Sequence, residues 1–230
     1  MSQSTTIGKP RGLLKLDMLS TQIIAVRHGE TAWNVDSRIQ GQLDIPLNEK
    51  GRWQAHRAAR ALATRGPVAA IYSSDLLRAR ETAQSIGDAT GVEVVTDKSL
   101  RERAFGSFEG QTFTELEASW PEETVRWRQR DADWTPPGGE SLTRVRERVL
   151  QITHALAERH IGEKIVLVSH GGVLDALYRA ATGMELQAPR TWTLVNAGIN
   201  RLLWTPQGLT MVGWSDTAHL EDAWLDETTA

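Results

Sequence analysis

The 230-residue chain contains no cysteine. That excludes disulfides, thiolate nucleophiles and cysteine-ligated metals, and leaves the redox compartment open. Nor is there an excess of positive charge: 26 Lys and Arg stand against 29 Asp and Glu, a formal net charge of −3. No global basic field draws the chain to nucleic acid, although local arginine clusters can still hold phosphate. No apolar run approaches the roughly 20 residues of a membrane helix. The stretch Leu13-Leu14-Lys15-Leu16-Asp17-Met18-Leu19 is broken by charges and lacks a convincing cleavage site, so it does not read as a signal peptide. A cytoplasmic location is the default expectation.

The length suits one large α/β domain, expected over residues 21–220. Residues 1–20 read as a loose extension, with Met18 as an alternative start, and residues 221–230 as an acidic tail. Between them, apolar runs alternate with stretches of helical periodicity. Strands are expected at 22–27, 68–72, 92–95 and 164–169, and two or three more between Thr191 and Trp214, with a turn at Pro206-Gln207-Gly208. Helices are expected at about 49–65, from the Ser73-Ser74-Asp75 cap to about 89, at 141–159 and at 172–182. This β–α order implies a three-layer sandwich: a mostly parallel central sheet with helices on both faces. Residues 98–140 are the least regular and read as an insertion over the sheet's C-terminal edge.

Two strands end in histidine. Ile23-Ile24-Ala25-Val26 runs into Arg27-His28-Gly29-Glu30-Thr31, and Ile165-Val166-Leu167-Val168 into Ser169-His170-Gly171-Gly172. The C-terminal edge of an open α/β sheet is where ligands bind, and the two histidines meet there if the strands are neighbours. Phosphoryl transfer to nitrogen needs a neutral imidazole, cations around the phosphate oxygens and a proton donor for the leaving oxygen. His28 is the candidate nucleophile. Arg27 lies beside it, Arg78 falls in the first turn of the helix after the second strand, and Glu102 is the candidate acid.

The chain resembles the histidine phosphatase superfamily, in the branch of cofactor-dependent phosphoglycerate mutases and related phosphatases. Four ordered segments carry the likeness. They are Arg27-His28-Gly29-Glu30-Thr31 with Trp33-Asn34; Ser73-Ser74-Asp75-Leu76 with Arg78-Ala79 and Thr82-Ala83; Leu100-Arg101-Glu102 with Phe105-Gly106 and Glu109-Gly110; and Ser169-His170-Gly171-Gly172. The resemblance implies that His28 becomes phosphohistidine. It implies that Arg27, Arg78 and His170 hold the phosphoryl group, helped by Asn34, and that Glu102 protonates the leaving alcohol and then activates water. Gln40 and Gly41 match a loop near the phosphate, and the Gly171 N–H is placed to help. No metal and no cofactor is implied; 2,3-bisphosphoglycerate would enter only as the phosphoryl primer of a mutase.

Rival readings are specific. Glu109 and Glu30 compete with Glu102. Arg80, Arg101 and Arg103 read as surface or supporting ion pairs, His56, His154 and His160 as ordinary helix residues, and His219 as structural. Among nine tryptophans, Trp33 and Trp53 are expected in or near the core and Trp192, Trp204 and Trp214 on the late strands. Trp120, Trp127 and Trp134, seven apart, read as a helical stripe anchoring the insertion, with at least one reaching the pocket. Phe105 and Phe113 fall where the mutases resemble Tyr and Lys, which favours a phosphomonoesterase over a mutase; a catalytically silent binding relative is the third reading. The expected partner is a small phosphorylated metabolite, with the aromatic insertion favouring less charged ones. The late strands offer an edge for a homodimer.

Overall fold

Ile23 to Val26 and Ile165 to Val168 are apolar at every position, the pattern of strands covered on both faces. In the computed structural model, which describes residues 19–221, they occupy the middle of a six-stranded sheet. The strands are β1 (Thr21–Arg27), β2 (Ala70–Ser73), β3 (Val94–Thr96), β4 (Lys164–Ser169), β5 (Ile199–Thr205) and β6 (Gly208–Asp216), in the order β3-β2-β4-β1-β5-β6. β3, β2, β4 and β1 are parallel neighbours; β5 pairs antiparallel with β1, and β6 with β5. The 1–18 and 222–230 stretches, read above as extension and tail, lie outside the described residues.

The helices are α1 (Ala32–Val35), α2 (Glu49–Ala63), α3 (Leu77–Thr90), α4 (Phe113–Ser119), α5 (Pro121–Arg128), α6 (Leu142–Glu158) and α7 (Gly171–Thr182). Alternation along β1 and β4 divides the core. Ile23, Ala25, Ile165 and Leu167 pack on Val145, Val149, Val173 and Leu177 of α6 and α7. Ile24, Val26, Val166 and Val168 pack on Ala59, Leu62, Ala83 and Ile86 of α2 and α3. Each large aliphatic side chain buried this way contributes about 1.5–3 kcal/mol.

Most boundaries follow local chemistry. Asn48 and Ser141 cap α2 and α6 by accepting from Gly51 N and Arg144 N, and Gly91 ends α3 in the left-handed region. α3 departs from expectation. Its cap is Leu76, without a side-chain bond. Asp44, from the loop before α2, accepts from Leu77 N at 2.6 Å, and Asp75 pairs instead with Arg101 at 2.6 Å. The one-turn helix α1 was unmarked by periodicity; a Thr31–Asn34 capping box makes it.

Residues 98–140 carry an apolar cluster of their own. Phe108, Leu116 and Trp134 are buried, with Ile39, Phe105, Trp120 and Trp127 against them. The three tryptophans do not form a helical stripe. Trp120 sits at the α4–α5 junction, Trp127 on α5 and Trp134 in the following loop; all three converge on the Phe108 ring at 5.7–5.9 Å. Gly106, at φ +54°, closes the segment on itself: a Cβ there would sit 2.1 Å from Pro137 O, so no other residue fits.

Candidate active site

β1 and β4 pair in register from Gln22–Lys164 to Arg27–Ser169, and His28 N continues the ladder to Ser169 O at 2.9 Å. The next residue on each strand is therefore brought to the same level. The His28 and His170 rings lie 5.2 Å apart, tilted by 56°. Neither is on a surface: His28 is 3 % exposed and His170 0 %. His28 Nδ1 lies 2.7 Å from the Gly29 carbonyl. A carbonyl oxygen only accepts, so Nδ1 carries the proton and the neutral ring presents the Nε2 lone pair. Burial, then Arg78 and Arg27, holds the His28 pKa well below 6.5. Burial, then Arg78 and His28, does the same to His170. Both rings are neutral at physiological pH.

Two guanidinium groups face them. Arg78 donates to Leu43 O at 2.8 Å and Gly41 O at 2.7 Å, and Arg27 donates to Leu194 O. Arg27 Nε, Arg78 Nε and both ring nitrogens of His170 are buried without a hydrogen-bond partner. Buried donors left unsatisfied are costly, and a phosphoryl group placed among them satisfies several at once. Burial lowers the pKa of Arg27, and that of Arg78 to about 10, yet both remain cationic at neutral pH. Glu102 closes the site: its Oε1 accepts from Arg103 N at 2.7 Å and Gly172 N at 3.0 Å. At Gly171 a Cβ would lie 3.7 Å from Glu102 Oε2 and 3.9 Å from Arg27 Nε, so the start of α7 sits between acid and cation.

The other candidates fall unequally. Asn34 is near, but its Oδ1 is engaged by Thr31 N at 3.0 Å and Asn196 Nδ2 at 3.3 Å, so its NH₂ end alone is available to a ligand. Gln40 is buried with Oε1 unpartnered. Gly41 acts through its carbonyl on Arg78. Glu109 is occupied structurally, accepting from Gln42 N at 3.0 Å and Phe105 N at 2.9 Å. Glu30 turns to Asn48 and Lys50. His160 is not an ordinary helix residue: it lies past the end of α6, bonded to Tyr72 Oη at 2.9 Å and Glu163 at 2.7 Å.

Beside the histidines lies a cavity of about 340 Å³. Trp127 and Phe105 wall one side, which places one tryptophan of the insertion in the pocket. Arg103 corrects the expectation that it is a surface or supporting ion-pair residue. It is buried and lines the cavity, with Nε donating to Glu140 O at 2.7 Å. Arg130 and Arg190 line it too.

The family model of the histidine phosphatase superfamily (branch 1) matches residues 23–217. The chain belongs to the histidine phosphatase superfamily. It is 39% identical over 209 residues to phosphoglycerate mutase-like protein 4 of Arabidopsis thaliana, covering 90% of each chain. It is 37% identical over 209 residues to a metal-independent phosphoserine phosphatase of the same plant, covering 90% of this chain and 86% of the relative. Among solved structures, a phosphoserine phosphatase from Entamoeba histolytica in complex with phosphoserine aligns with a TM-score of 0.77 at 30% identity, over 87% of this chain and 99% of that one.

In this histidine phosphatase the assembled groups provide a neutral nitrogen with a fixed lone pair, paired cations and a carboxylate across from them. Several supporting residues escaped the sequence reading. Thr82 accepts from Gly29 N at 3.0 Å, and Asn196 donates to His28 O at 3.0 Å. Thr82 was visible within its motif; Asn196 carried no local signal, nor did Arg190 and Asp175, which meet on the cavity wall with Arg190 Nε donating to Asp175 Oδ1 at 3.0 Å.

Proposed function

We propose that this histidine phosphatase is a metal-independent phosphomonoesterase that hydrolyses a small organic phosphate through a phosphohistidine. The observation that carries the reading is His28: its Nδ1 is committed to Gly29 O, and its pKa is depressed by burial. Nε2 is thus an unprotonated nucleophile. It attacks phosphorus as the P–O bond to the alcohol breaks, and Glu102 in its acid form delivers a proton to the leaving oxygen. Water then attacks phosphorus as the P–N bond breaks and its electron pair returns to Nε2, Glu102 takes the proton of the water, and inorganic phosphate leaves. Arg27, Arg78 and His170 stabilise the charge on the non-bridging oxygens, the task a metal performs elsewhere. Among the described residues, no three His, Asp or Glu side chains group as metal ligands, and a curated relative is named metal-independent.

A phosphoglycerate mutase is the second reading, favoured by the additional arginines beside the site and by a mutase-like relative. One experiment separates them. Phosphate release from small monoesters is followed with a chelator present, alongside isomerisation of 3-phosphoglycerate primed with 2,3-bisphosphoglycerate. Release without isomerisation supports the phosphomonoesterase; isomerisation with little release overturns it. Wild type should also trap an acid-labile phosphoenzyme that His28→Ala lacks.

A further inference from the structure

Ala197 is a non-glycine residue at φ +55°, a conformation that persists where the surroundings over-determine it. Its N–H donates to Arg27 O at 3.0 Å and His28 O at 3.3 Å, and its carbonyl accepts from His219 Nε2 at 3.0 Å. This turn sets the preceding side chain, Asn196, against the end of β1. Asn196 Nδ2 carries two protons and meets two acceptors, His28 O at 3.0 Å and Asn34 Oδ1 at 3.3 Å. His28 O can only accept, so the Asn196 amide cannot be turned over. Asn34 is fixed in the same way. Its Oδ1 also accepts from Thr31 N at 3.0 Å and Thr31 Oγ1 at 3.2 Å, so its oxygen takes every bond its amide makes to the described residues and its NH₂ is left over. The peptide unit between His28 and Gly29 is rigid and planar. Its oxygen is held by Asn196 and Ala197 and its nitrogen by Thr82 Oγ1 at 3.0 Å. That unit leads directly to Gly29 O, which fixes the protonated side of the His28 ring.

We propose that Asn196 is a positioning residue of the phosphoryl site. One of its protons holds the peptide that carries the nucleophile. The other holds the Asn34 oxygen, so that Asn34 offers the phosphoryl group a donor instead of an acceptor. The two effects separate: loss of the first misplaces His28 and slows chemistry, whereas loss of the second weakens anion binding and travels through Asn34 alone. The inference rests on the phosphomonoesterase reading of this site. It is tested by binding of inorganic phosphate, which needs no turnover, so failure of that reading shows only as absent phosphate release from monoesters.

The test is a double-mutant cycle on the full chain, with affinity for inorganic phosphate read by calorimetry. Asn196→Ala removes both donors and adds no charge. It should weaken phosphate by about 10-fold, the worth of one hydrogen bond to a charged group. In the Asn34→Ala background the same change should cost less than about twofold, because the route through Asn34 is already gone. A residue that merely supports its loop would cost the same factor in both backgrounds, and that result overturns the proposal. So does an Asn196→Ala variant that binds phosphate as wild type does. On a monoester substrate, Asn196→Ala should lower kcat in both backgrounds, since the His28 carbonyl does not depend on Asn34; an unchanged kcat in the Asn34→Ala background overturns the assignment to His28. The unaltered chain supplies a check that needs no variant to fold. By NMR the side-chain amide protons of Asn196, held by two acceptors, should exchange slowly with or without phosphate, whereas those of Asn34 should exchange fast until phosphate saturates the site. Asn34 protons that ignore phosphate overturn the proposal.

Discussion

Gly172→Ala tests the placement of the acid without touching its chemistry. Gly172 is the second residue of α7, and its φ is not in the left-handed region, so alanine suits the backbone. Its Cβ would sit 2.3 Å from Glu102 Oε1 and 3.3 Å from Glu102 Cδ. Contacts under 3.0 Å essentially never occur. The carboxylate must therefore retreat by roughly 0.7 Å or more, and a misplacement near 1 Å costs on the order of 10²-fold in rate. The carboxylate ends a flexible side chain, so the fold should absorb the change. Replacing Gly in a helix stabilises by at most about 1 kcal/mol. Stability thus stays level or rises while catalysis falls. Two substrates separate the steps. 4-Nitrophenolate leaves readily without protonation; an alkoxide does not. With an alkyl phosphate, single-turnover phosphoenzyme formation should slow about 10²-fold, within the 10²–10⁴ expected of general acid catalysis. With 4-nitrophenyl phosphate the first-turnover burst should persist while steady-state release slows. Alkyl phosphate turnover within fivefold of wild type would refute the reasoning.

Glu102→Gln should reduce alkyl phosphate turnover by about 10²–10⁴-fold, whereas Glu109→Gln should act mainly on thermal stability, because Glu109 is bonded to two backbone amides; the reverse order would transfer the acid role to Glu109. His28, His170 and His219 all have pKa values lowered chiefly by burial. Below about pH 6.5 the unfolded chain therefore binds more protons than the folded one, and stability falls as the pH drops, by up to about 1.4 kcal/mol per pH unit for each group. Urea midpoints from pH 7.5 to 5.5 in phosphate-free buffer should show that slope; a flat profile contradicts it. Trp134→Ala removes a buried ring from the insertion's cluster, a loss of about 3–5 kcal/mol. It should speed proteolysis between residues 105 and 138 more than elsewhere, and uniform cleavage would argue against a separate cluster.

Much of this was legible in the chain. Two fully apolar runs, each ending in His-Gly, gave the neighbouring central strands and the meeting of His28 with His170, because strands buried on both faces have no polar alternation to obscure them. The helix starts expected at about 49 and 141 hold, with Asn48 and Ser141 as the caps. Asp75 misled because local propensity cannot see Arg101, 26 residues away, which claims its carboxylate. The three tryptophans misled because spacing of seven implies one helix, whereas Trp120 and Pro121 break the helix between them. Arg103 looked like its half-buried neighbour Arg101; only tertiary packing of Glu140 and Trp134 buries it. Asp175 and Arg190 lie 15 residues apart and meet at 3.0 Å, a contact without a sequence period.

The in-register pairing of β1 with β4 has a consequence for how the enzyme fails. The histidines hang from strands whose amides are shielded by helices on both sides, and such amides exchange only on global opening. The aromatic wall of the neighbouring cavity belongs to a smaller cluster with its own few contacts. In mild denaturant, deuterium should enter residues 105–138 first, while Val26 and Val168 remain protected. Over that interval the molecule would still break phosphate esters but would have stopped choosing among them: discrimination melts before chemistry does.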